Sequence, residues 1–196
     1  VVSVTGTAGS APTIKFSVTD PTNSNTAYDI ATTPAITGGS MTLLVGWDTT
    51  DMNNNSLTVH RSNAQPISIS LLSGGALVAG VTNNGDGTYS ITSGTAIPAD
   101  ATGSGRVGFY GRMSVDVDGD TVDDQVPIKS VFKDWSMDGT TLKARRTVVD
   151  IANCDKCHAT LTMHGNNRTD EPQLCVMCHN PNATDTARRI ATAPVG

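Results

Sequence analysis

The sequence predicts a mainly β protein, an N-terminal β-sandwich or split β-barrel followed by a small, largely irregular or helical module that carries the chemistry. Three observations predict it. Over the first 148 residues short apolar runs alternate at period two with Thr, Ser and Asn, the pattern of half-buried strands. Clusters of Gly, Asn and Asp punctuate those runs as turns do. All four cysteines fall between Cys154 and Cys178, so the tail has a site of its own rather than a disulfide framework.

Each expected strand rests on its own alternation. Ile14, Phe16 and Val18 alternate with Thr13, Lys15, Ser17 and Thr19; Met41, Leu43, Val45 and Trp47 form a second run, and Ile67, Ile69 and Leu71 a third. Further strands are expected at Ala76–Val81, Thr88–Thr92, Gly105–Met113, Val126–Phe132 and Leu142–Ile151. Asn83-Asn84-Gly85-Asp86-Gly87 sits between two of these runs and supplies residues that tolerate positive φ, which predicts a tight hairpin. About eight strands in such a length fit a sandwich or a barrel, and pattern alone leaves both open. From Asp150 the alternation stops, and Asp150 is placed to cap a short helix beginning at Ile151. The expected domains are therefore 1–148, all β, and 149–196, the chemical segment.

The bulk properties exclude some functions. A net charge of −5 and a pI near 5.1 provide no basic patch, so no nucleic-acid partner is expected. No run of about 18 apolar residues exists, so no transmembrane segment is expected. The opening Val1-Val2-Ser3 lacks an initiator Met and a basic leader, which reads as a processed or trimmed chain, and the plain ending at Gly196 reads as a piece of something longer.

Cys154-Asp155-Lys156-Cys157-His158 and Cys175-Val176-Met177-Cys178-His179 both fit C-x-x-C-H, the attachment signature of c-type haem. On one helical turn two thiols at i and i+3 share a face and can each bond a porphyrin vinyl group, while the histidine at i+4 reaches the iron from that same face. The rival is zinc, because the four cysteines also spell C-x2-C-x17-C-x2-C. The histidines weigh against it: with 4 His in 196 residues, chance sets His at both positions about once in 2,400. Two haems c are the expected cofactors, set close together because only residues 158–174 separate the motifs.

These segments, with Leu161, His164-Gly165-Asn166-Asn167-Arg168-Thr169-Asp170 and His179-Asn180-Pro181-Asn182, resemble the first haem segment of the OmcA/MtrC-type outer-membrane decahaem cytochromes. Val148-Val149-Asp150-Ile151 and Asn83-Asn84-Gly85-Asp86-Gly87-Thr88-Tyr89 are similar to the β domain that precedes it. The resemblance implies an exported cell-surface electron conduit, associated with the outer membrane and not itself an enzyme. Its implied partners are other multihaem cytochromes or copies of itself, an outer-membrane conduit, and external acceptors such as minerals or shuttles. The sequence departs from that family in stopping after two motifs.

The axial ligands are expected to be His158 and His179 proximally, with His164 on the distal face of one of the two irons. Three local histidines do not fill four positions, so His60, Met163 and Met177 are weighed as further ligands. Asp116, Asp118, Asp120 and Asp124 surround Gly119 as acids do in calcium loops, though Pro127 stands where an EF-hand needs a bidentate acid. Two other functions stay open at this point. One is a haem-dependent small-molecule reductase, which needs an open iron position and an acid–base set. The other is a zinc-ribbon binding protein.

Overall fold

The computed structural model describes residues 1–52, 54, 58–59, 62–63, 65–181 and 183. Two four-stranded antiparallel sheets carry the first part of the chain. Sheet A has the order β1 (Ser3–Thr5), β2 (Thr13–Phe16), then β6 (Tyr89–Thr92) and β5 (Thr82–Asn83). Sheet B has the order β8 (Asp124–Ser136), β7 (Ser104–Val115), β3 (Ser40–Trp47) and β4 (Ile67–Ser70). The two pack face to face. Phe16 of sheet A meets Phe109 of sheet B with ring centroids 6.1 Å apart, and Ile14, Leu43, Val45, Trp47, Ile91 and Val107 fill the space between them. The architecture is therefore the sandwich, one of the two β forms that the alternation allows.

The expected hairpin forms at Asn83–Gly87. Asn83 pairs with Tyr89, Asn84 N–H donates to Thr88 C=O at 3.0 Å, and Gly85 and Gly87 both take φ near +78°. Two expectations are corrected. Ala76–Val81 shortens to Ala76–Leu77, paired only with Leu72–Ser73. Leu142–Ile151 forms no strand through residue 150: it pairs with neither sheet, and Leu142, Val148 and Val149 are half exposed instead of packing on one face. Val148 and Val149 turn out to line a cavity of the haem-motif segment.

Sheet B is buried on both faces along part of its length, which positions the site. Met41, Leu43, Val45 and Trp47 point into the sandwich, while Leu44 points out and packs with Met52, Leu174 and Met177. Leu174 and Met177 belong to a short helix, α2 (Pro172–Cys178), that follows α1 (Ile151–Cys154). Glycines clear its seat. A Cβ on Gly108 would stand 2.5 Å from Leu174 Cδ1, and one on Gly46 would stand 3.4 Å from Met177 Cε.

The ribbon β9 (Thr162–Met163) and β10 (Arg168–Thr169) continues along this outer face. A bulge in β8 between Ile128 and Val131 lets two residues oppose Tyr110, and such bulges re-aim side chains. Here Ser130, buried on the outer face, accepts the Thr169 N–H at 3.0 Å.

Candidate functional site

Both motifs adopt the helical turn that their spacing predicts. Asp150 caps α1 by accepting the Ala152 N–H at 3.0 Å, and the His158 N–H donates to Cys154 C=O at 3.0 Å. In α2 the Glu171 carboxylate accepts the Gln173 N–H at 3.0 Å, Pro172 sets the first turn, and the His179 N–H donates to Cys175 C=O at 2.9 Å. The i→i+4 bond from the first Cys to the His thus closes in both places.

The two motifs differ in how firmly they are held. Cys157 and His158 are exposed. The second motif is anchored to the sandwich: Asn54 accepts the Trp47 N–H at 3.0 Å and donates to Met177 C=O at 3.2 Å, and Gln65 donates to Cys178 C=O at 3.1 Å. These side chains satisfy carbonyls that the end of a helix leaves unpaired. At the other end Arg106, fully buried, forks onto Asp134 and donates to the Gln173 side chain at 2.8 Å. Burial pushes the Cys175 and Cys178 thiols up from their ordinary value, which keeps them protonated at neutral pH.

Two cavities open at the motifs. One, of about 250 Å³, is walled by Val148, Val149, Ile151, Leu161 and Val176 and touches both Cys154 and Cys175. The other, of about 420 Å³, has Cys175, Cys178, His164, His179 and Gln65 on its wall. His164 and His179 face each other there, ring centroids 6.1 Å apart and planes 36° from parallel. Two thiols and two imidazoles on one cavity wall are the donor set a c-type haem would use, so the residues present fit that group at the second motif. His164 sits at φ +56° on the β9–β10 turn with Gly165 and Asn166 also at positive φ. Burial foremost, then the charges of Arg168 and His179, lower its pKa below the ordinary histidine value, leaving the ring neutral and able to ligate.

Residues 146–194 match the family model of the outer membrane cytochrome MtrC/MtrF-like proteins, domains II/IV. The chain resembles the MtrC-type outer membrane cytochromes. The crystal structure of MtrC from Shewanella baltica OS185 superposes on 91% of this chain and 33% of its own, with a TM-score of 0.65 at 19% identity. This MtrC-like chain thus spans about a third of that relative, and the likeness shows a common β-rich fold. No curated protein matches.

The remaining sequence expectations divide. The four cysteines do not gather as a zinc ribbon requires; among the described residues the one group of three or more candidate ligands close together is Asp116, Asp118 and Asp120, within 4.8 Å. Asp124 lies outside that group, with a long bond of 3.4 Å from the Val117 N–H. Asp116 itself already accepts Gly119 and Thr121 N–H groups. Met177 is no ligand, since it is fully buried against Leu44 and Met52. Met163 is exposed and touches both cavities. His60 lies outside the described residues. The sequence reading missed Asn54, Gln65, Arg106, Tyr110 and Arg168. For the helix seat, though, the outward glycines Gly46 and Gly108 in apolar strands were a readable sign of close approach.

Proposed function

We propose that this chain is an electron carrier, not an enzyme, with one haem c on Cys154, Cys157 and His158 and a second on Cys175, Cys178 and His179. His164 is the distal ligand of the second iron. The facing of His164 and His179 across 6.1 Å carries this reading. Bound haem supplies a reversible ferric–ferrous couple. The chain's residues do the rest. The thiols hold the group covalently, and paired imidazoles close the iron to outside ligands. Val148, Val149, Ile151 and Leu161 exclude water from the cavity between the motifs. Because Cys175 lies on both cavities, the two haems stand near each other, as a conducting pair requires.

The resemblance supports a working place for the carrier at the outer surface of the cell. Its proposed partners are other multihaem cytochromes or copies of itself, an outer-membrane conduit, and external acceptors. No helix among the described residues is long and apolar enough to cross a membrane. Intact-mass measurement tests the cofactor: two haem adducts that survive acid-acetone extraction are expected, and zinc or no adduct refutes the reading. Carbon monoxide tests the role. Binding at both reduced irons would point to a small-molecule reductase instead.

A further inference from the structure

We propose that Arg168 is a cation shared by the two haem sites, taking the carboxylate of a porphyrin propionate and holding up the reduction potentials of both irons. The assignment rests on the reading that both motifs carry haem. Three residues line both cavities, namely Met163, Arg168 and Cys175, and of these only Arg168 is charged. Its guanidinium lies over the Tyr110 ring, 4.3 Å from the centroid, and one nitrogen donates to the Tyr110 hydroxyl at 3.2 Å. Among the described residues it forms no ion pair, since the bridges are Lys15–Asp86, Arg106–Asp134 and Arg146–Asp51.

Two acids share the wall of the first cavity with it, and each holds a backbone N–H without bridging to it. Asp170 accepts the Leu161 N–H at 2.7 Å and Glu171 accepts the Gln173 N–H. Arg168 therefore keeps most of its five donors for a ligand, and its rigid fork matches a carboxylate. Tyr110 fixes the plane of that fork from a strand of the sandwich. A positive charge on the wall of both cavities disfavours the ferric state, which carries one more positive charge than the ferrous state, and in a partly desolvated site the effect is weakly screened.

The test uses the haem-loaded full chain. R168Q should retain two haems by the pyridine haemochrome assay, and both midpoint potentials should fall in a potentiometric titration. R168K, which keeps the charge and loses the fork, should shift them less. Two haems in R168Q with unmoved potentials would overturn the assignment, as would a fall confined to one haem or an equal fall in R168K, which would indicate packing on Tyr110. Should R168Q fail to take up haem, R168K decides: two haems near wild-type potentials support the assignment, and loss of haem with the charge retained overturns it. Wild-type protein without haem would instead refute the underlying reading.

Discussion

His164 is held in an uncommon backbone state. A non-glycine residue at φ +56° persists where its surroundings over-determine it. Here the Arg112 guanidinium donates to Gly165 C=O, and Asn166 donates to Gln125 C=O at 3.2 Å. The turn is thus pinned to sheet B, and it aims the imidazole at His179. Replacing His164 with Ala should leave both haems attached but turn the second one high-spin and open to carbon monoxide. Electron paramagnetic resonance should show the second haem's low-spin signal replaced by a high-spin one and the first haem's signal unchanged, and an unaltered low-spin signal from the second haem would remove His164 from the site. The helical turn of each C-x-x-C-H motif was legible because its spacing is local. The approach of His164 to His179 was not legible, since tertiary packing brings the two together.

At the scale of elements, the hairpin between β5 and β6 is clamped to sheet A by charge. Asp86 accepts from the Lys15 ammonium at 2.9 Å and from the Thr88 N–H at 3.1 Å. The Thr88 hydroxyl first, and Lys15 with it, hold the Asp86 carboxyl down to about 2. A carboxylate depressed in the folded state contributes stability above its unfolded pKa of about 3.9, and that contribution fades as pH falls toward 2. Carboxyl NMR should give an Asp86 midpoint near that lower value. The stability gap between wild type and D86N should be constant at neutral pH and vanish in strong acid.

The helix seat is steric rather than ionic. Gly108→Ala places a methyl 2.5 Å from Leu174 Cδ1 and 3.0 Å from Met177 Sδ, both side chains fully buried. Overpacking of this kind costs about 1–3 kcal/mol, so G108A should lower the denaturant midpoint and perturb the second haem's spectrum more than the first's. The alternation of Met41, Leu43, Val45 and Trp47 announced a strand with one buried face. It did not announce that Leu44 and Gly46 are buried too, because their cover combines the nearby Met52 and Asn54 with Leu174 and Met177 from far along the chain.

For the whole molecule, the core between the sheets is built, among the described residues, from Ile14 through Met137 with Val1, Val4 and Ala8 packed against it, so the sandwich has an apolar interior independent of the haem segment. Residues 1–148 expressed alone should therefore unfold cooperatively. The midpoint should lie below that of the full chain, and the piece should bind an apolar dye such as ANS, because Leu44, Met52 and Tyr110 lose the cover of Leu174 and Met177. A disordered product would show that the segment after 148 is part of the fold's nucleus. The strand pattern made the fold class readable from sequence. The dependence of sheet B on its outer cover was only partly so: Gly46 and Gly108 signal a close approach on the strands' second face, but nothing local says which residues make it.

The clamps from Asn54 to Met177 and from Gln65 to Cys178 join residues 123 and 113 positions apart. Contacts so distant in sequence close late, after the intervening chain has lost its freedom. The helix bearing Cys175 and Cys178 can settle on the sandwich only once sheet B exists to receive it. Until then both thiols stay accessible. Time, as well as space, is thus ordered by this topology: covalent attachment has its opening before docking, and docking seals what attachment has made.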